Sequence, residues 1–213
     1  MRVRRLPDHQ VEDLSALHEV LDAGRVAHVA VVENGQPLVL PLAYARDGDR
    51  LLLHGSTGSR VFRLLADGVP ACVTVTLLDG YVLARAAFEV SMRYRSAMIL
   101  GGFVPVTDPA AKLAAVRRIS DHSVPGRWAD LRPPTPKELA ATAVLATTLR
   151  EWSVKANQGW PTDSKEDLGR PVWAGVIPLS TVVGEPQPSP DLLPGIATPS
   201  YLAAVPKPGR ARS

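Results

Sequence analysis

This chain of 213 residues has a single cysteine, Cys72, which excludes an internal disulfide. Cys72 lies in the strand-like run ACVTVTLL, where a small buried core residue is expected rather than a reactive thiol. C-x-x-C and H-E-x-x-H are both missing, so no metal site is expected. His9, His18 and His28 show no ligand spacing. No apolar run approaches the roughly 18 residues of a membrane span. The arginines of the opening MRVRR are not followed by the apolar stretch of a signal peptide. The expectation is a cytoplasmic protein with no membrane partner. Strong charge of one sign is lacking as well. The formal net charge is +3, and part of that sits in the terminal MRVRR and KPGRARS, so nucleic acid is not an expected partner.

Apolar residues are plentiful, 46% of the chain, enough for a sizeable core. Leu14, Leu17 and Leu21 predict a helix over Val11–Ala23, stopped by Gly24. The period then shortens. RVAHVAVVE reads as a strand ending at Asn34-Gly35, a two-residue hairpin signal, because both positions accept positive φ. QPLVLPLAYARD returns as one strand whose Pro37 and Pro41 suit an edge. RLLLHG, PACVTVTLLD, YVLARAAFEV and RYRSAMILGGFVPV continue the meander, with Asp79-Gly80 read as a turn and Gly101-Gly102 as a corner. Asp108-Pro109 opens a helix, and Thr135 with Glu138 forms a capping box. AVLATTLREWSVKA reads as one strand, with helix as the alternative, and RPVWAGVIPLS as the last.

About eight strands joined mostly by hairpins predict a mainly β fold. Its form is an antiparallel barrel with a few peripheral helices. Residues 1–183 form one domain. Residues 184–213 hold seven prolines and read as an extended tail. The alternative is a tail lying across a partner subunit, since Leu192, Leu193, Ile196 and Tyr201 are present.

The chemistry concentrates at HGSTGSRVFRL, residues 54–64. Gly55 and Gly58 let a backbone turn and approach a ligand closely. Ser56, Thr57 and Ser59 offer hydroxyls, and Arg60 offers a guanidinium suited to phosphate. The order is neither G-x-x-x-x-G-K-[ST] nor G-x-G-x-x-G. By itself the loop fits an anion cradle and a plain strand–turn–helix corner equally well.

The GSR at 58–60, the segment at 72–102 containing SMRYRS, the segment ISDHSVPGRWADLRPPTPKELAATAVL, and the later EWSVK and PVWAGVIPL share one pattern. In that order they resemble the FMN-binding split-barrel family related to pyridoxamine 5′-phosphate oxidase, in its nitroimidazole-resistance branch. The resemblance covers roughly residues 10–180 and implies that the barrel is an antiparallel split β-barrel of Greek-key type. It implies FMN, with Ser59 and Arg60 on the phosphate and His54 and Ser56 nearby. It places Pro41 and Tyr44 beside the isoalloxazine, and Ser91, Tyr94 and Arg95 at the ring or ribityl chain. It further implies a homodimer with flavin at the interface, reached by Trp173 or Lys155 of the other subunit, and an oxidoreductase acting on a small molecule. The alternative is a protein that binds or stores flavin, haem or a deazaflavin without turnover. The chain departs from the pattern at Val61, where lysine is common, and at Leu77, Glu89, Val90 and Arg93.

Overall fold

The computed structural model describes residues 9–204, with side chains as far as Leu202. The basic segments expected to add charge at the two ends, MRVRR and KPGRARS, lie outside the described residues. Eleven strands and four α-helices are present among them. The strands are β1 (Gln10–Val11), β2 (Ala27–Glu33), β3 (Gln36–Leu42), β4 (Tyr44–Asp47), β5 (Arg50–Ser56) and β6 (Ala71–Leu83). They continue with β7 (Ser91–Gly101), β8 (Val104–Pro105), β9 (Thr142–Thr148), β10 (Glu151–Asn157) and β11 (Gly175–Pro178). The helices are α1 (Leu14–Ala23), α2 (Arg60–Ala66), α3 (Pro109–Ser123) and α4 (Pro136–Ala141).

The strands form two antiparallel sheets. The larger runs β1-β10-β7-β6-β2-β3, with β11 beside the far half of β6; the smaller runs β4-β5-β9-β8. One core joins them. Val29, Val31, Val73, Ala97 and Ile99 of the larger sheet meet Leu51, Leu53 and Leu145 of the smaller. Leu17, Val20 and Leu21 on one side of α1 pack into the same core. Each such side chain contributes roughly 1.5–3 kcal/mol by leaving water. A second, smaller cluster lies on the other side of the smaller sheet. There Ala115 and Ile119 of α3 cover Ala45, Leu52, Val144 and Ala146. The sheets meet through crossings of the chain, which makes a split barrel.

Local signals placed much of this. Asn34 and Gly35 both have positive φ, and β2 and β3 pair in register around them. β3 is an edge strand, where Pro37 and Pro41 leave no ladder partner unsatisfied. Asp108 caps α3 by accepting from the Ala111 N–H at 2.8 Å. Thr135 and Glu138 form both bonds of the capping box.

Three expectations change. Val11 pairs with Val154 as a strand, so α1 begins later, after Asp13 accepts from the Ser15 N–H. Asp79-Gly80 is a bulge inside β6, which runs through it, and not a turn. A Cβ at Gly80 would lie 2.8 Å from the Ile177 carbonyl, so the glycine admits β11. Finally, 36–47 and 142–157 each form two strands, since both segments leave one sheet for the other, at Ala43 and at Leu149–Arg150. Gly101-Gly102 marks a third such crossing, from β7 to β8, as its corner reading anticipated.

Candidate functional site

The loop after β5 keeps its donors open. Ser56 Oγ accepts from the Gly58 N–H at 3.1 Å, which leaves its own hydrogen free to donate. The Ser59 N–H donates to Ser56 O, and the Thr57 N–H to Ala141 O, so the loop backbone is braced. Ser59 precedes α2 without capping it through its side chain. Arg60 is 62% exposed and pairs with Glu33 at the end of β2. Gly55 serves a different purpose from the expected close approach to a ligand. A Cβ there would lie 2.4 Å from the Phe62 ring, so the glycine lets α2 fold back onto the loop. Val61, where the pattern has lysine, is buried in the core, so a cation at that position has no path to the loop's surface.

The outer face of the larger sheet is the second open region. Residues opposite one another in an antiparallel ladder share a face. Pro41, His28, Thr74 and Met98 therefore lie in one line across β3, β2, β6 and β7. Val39, Ala30, Cys72 and Leu100 form the next line. Thr76, Ser96 and Lys155 form another, and Leu78, Tyr94 and Asn157 the last. The opposite face carries the core. The outer face is apolar in part, half-buried to exposed, with Val32 and Val39 both more than half exposed.

The expected site residues thus fall in separate places. Ser56, Ser59 and Arg60 share the loop. His54 is two residues before Ser56, opposite Val144 and on the side of Leu52, where partial burial pushes its imidazole below the usual value. Pro41 and Tyr94 share the outer face. Ser91 and Arg95 have the other parity of β7. Arg95 makes a forked pair with Asp79 at the bulge, at 2.8 and 2.9 Å, and so turns from Tyr94 rather than beside it. Trp173 precedes β11, two-thirds exposed, with its ring against Gly175. Tyr44 is a correction. It is fully buried, and its hydroxyl donates to Leu21 O at 2.6 Å, so its ring borders the core and no ligand surface. Burial pushes its phenol above the usual range.

Two of the departures from the pattern, Glu89 and Arg93, share one cause. Glu89 accepts from the Thr162 hydroxyl, Arg93 donates to Gly159 O, and Arg93 also stacks over Trp160 at 5.1 Å. Asp163 accepts from the backbone N–H groups of Arg85 and Ala86 and from the Arg85 guanidinium. The segment after β10 therefore lies across the end of β7, and Glu89 and Arg93 hold it there. A cleft of about 640 Å³ between α3 and the smaller sheet, lined by Asp47, Arg50, Leu52, Val106, Arg117 and Asp121, contains none of the expected residues. Its arginines pair with its own aspartates.

A family model described as pyridoxamine 5′-phosphate oxidase matches residues 13–156. The chain belongs to that family. Among solved structures, a FAD and heme binding protein from Mycobacterium smegmatis is 43% identical. That match covers 93% of this chain and 98% of the other, with a TM-score of 0.90. The flavocytochrome Anf3 from Azotobacter vinelandii is 38% identical, covers 96% of this chain and 95% of its own, and has a TM-score of 0.92. A putative 5-nitroimidazole antibiotic resistance protein from Bacteroides thetaiotaomicron is 22% identical with a TM-score of 0.58. It covers 68% of this chain and 85% of its own, and is a likeness of fold. A search of curated proteins finds no match. Among the described residues no helix is long and apolar enough to cross a membrane, and no group of three metal-ligating side chains gathers.

Proposed function

We propose that this chain is a flavin-binding redox protein that also carries haem, working as a homodimer and acting on a small molecule. The observation that carries the reading is the pair of relatives above 35% identity over nearly the whole chain. One is described as binding FAD and heme, and the other as a flavocytochrome. FAD is therefore favoured over the FMN that the family resemblance implied.

The residues present fit a flavin. A phosphate needs several donors and at least one cation. Ser56, Thr57 and Ser59 supply hydroxyls, and Arg60 supplies the charge. Arg60 is paired with Glu33, whose carboxylate is largely covered while the guanidinium stays 62% exposed, so a phosphate competes with Glu33 for it. The isoalloxazine is flat with an apolar dimethylbenzene end, and the outer face beside Pro41 and Tyr94 offers a partly apolar surface to it. One chain leaves this face open, and a second copy would cover it.

A haem, if present, would be held through its iron by a side chain such as histidine. His18 lies against Asp49 and His122 is bonded to Gly24 O, whereas the rings of His9, His28 and His54 are not engaged by the described residues. When bound, the two groups supply hydride and one-electron chemistry. The chain's own part is to bind, orient and shield them.

Identification of what the purified protein carries tests this reading, by mass for the flavin and by the alkaline pyridine spectrum for haem. FAD and haem together are expected. His9→Ala, His28→Ala and His54→Ala then separate the candidate ligands through the Soret band. Bleaching by NAD(P)H supports turnover, and bleaching by dithionite alone supports carriage without it. Colourless protein that takes up neither flavin overturns the reading.

A further inference from the structure

The segment after β11 forms an arm tied at both ends. At its root the Leu179 N–H donates to Asp79 O at 2.9 Å. At its far end Tyr201 Oη donates to Asp130 Oδ2 at 2.6 Å and accepts from Arg127 at 3.0 Å. Gly126 makes that anchor possible. Its φ is 87°, and a Cβ there would stand 3.1 Å from the Tyr201 Cβ. Between these ties, residues 181–198 are exposed without a break. They include Val182 at 77%, Leu193 at 71%, Ile196 at 56% and Leu192 at 46% exposure.

Closing a loop at two points has an entropic cost. Apolar burial along the loop normally offsets it, and every residue of this stretch stays exposed on its own body. Its prolines lower the cost of ordering but do not supply an attraction. The same molecule leaves Val32, Val39 and Leu78 uncovered on the outer face of the larger sheet. A chain with both an exposed apolar arm and an exposed apolar face is self-complementary. A two-fold pair covers both surfaces twice over.

We propose that the Val182–Ile196 arm of each copy is a strap that clasps a second copy of this chain. The strap rests on the two-copy reading above. The root and the Tyr201 anchor fix the arm's two ends to its own body and leave the middle open to a neighbour.

Light scattering across a dilution series tests it on the full chain with its native cofactor content. The parent protein is expected to be a dimer. The triple variant Leu192→Asp, Leu193→Asp, Ile196→Asp, altered only at exposed positions, is expected to dissociate at least 100-fold more readily, with an unchanged thermal melt when monomeric. Tyr201→Ala, which frees the arm's end, is expected to weaken the dimer about tenfold. A parent dimer with both variants dimerising as tightly overturns the strap and leaves the two-copy reading standing. A monomeric parent protein overturns both, while flavin content, read on the same sample, reports separately on cofactor binding.

Discussion

The seam between α1, β4 and α3 and the loop after β5 are both rich in polar groups, yet they treat them differently. At the seam Tyr44 Oη donates to Leu21 O, and His122 Nε2 donates to Gly24 O at 2.8 Å, with the two rings 5.2 Å apart. Gly24 sits between them with no room for a side chain. Both donors are satisfied within the chain. In the loop the hydroxyls of Ser56, Thr57 and Ser59 face solvent or are half-covered, and Arg60 keeps an exposed guanidinium beside its partner Glu33. Groups saturated by the fold hold it together, and groups left unsaturated on a braced backbone are the ones available to a ligand. Tyr44 and Arg60 were both expected near a cofactor, and this difference separates them.

Gly24→Ala should break the seam most severely. The new Cβ would stand 2.4 Å from Val75 Cγ1 and 2.6 Å from Tyr44 Oη. Overpacking of this kind costs about 3 kcal/mol, read as a fall in the denaturant midpoint, while flavin affinity in the folded protein should hold. Arg60→Ala should do the reverse. Loss of a charge-assisted bond to phosphate costs about 2 kcal/mol of binding, roughly 30-fold in Kd, with little change in unfolding. Glu33→Gln sharpens that result, because it releases Arg60 and should tighten binding. Tyr44→Phe leaves the Leu21 carbonyl without its donor and should cost about 1 kcal/mol of stability. A tenfold change in flavin Kd for Tyr44→Phe would show that the two regions are not distinct.

The smallest effect is on pH. Burial holds the His122 imidazole below its ordinary value, with Arg25 and Arg118 acting the same way and Asp22 and the bond to Gly24 opposing them. His54 is lowered by burial too. The unfolded chain therefore takes up protons first. The stability these groups contribute is complete above about pH 6.5 and is lost as pH falls through their folded values. Urea midpoints at pH 7.5 and pH 5 should show the decline, and His122→Gln should reduce its slope.

Much of the fold was legible because its signals are local. Asn34-Gly35, Asp108-Pro109 and the Thr135–Glu138 box each act within four residues, and each formed as read. The sheet crossings at Ala43 and Leu149 were invisible because alternation continues through them. No glycine pair marks these two corners, as one does at Gly101-Gly102. Asp79-Gly80 reads as a turn by composition, and only the arrival of β11 from about 100 residues away makes it a bulge. The same holds for the site. The loop was readable as a run of hydroxyls, glycines and an arginine. The inward turn of Tyr44, the engagement of Arg95 by Asp79 and the pairing of Arg60 with Glu33 depend on contacts that sequence spacing does not carry.

The most direct test of the central claim is an equilibrium titration of cofactor-free protein with FAD and with FMN. It is followed by quenching of flavin fluorescence in the parent chain, Arg60→Ala and Tyr44→Phe. Saturable binding that weakens roughly 30-fold in Arg60→Ala and is unchanged in Tyr44→Phe is the predicted result. Equal binding by the parent and Arg60→Ala, or no binding of either flavin, would contradict it.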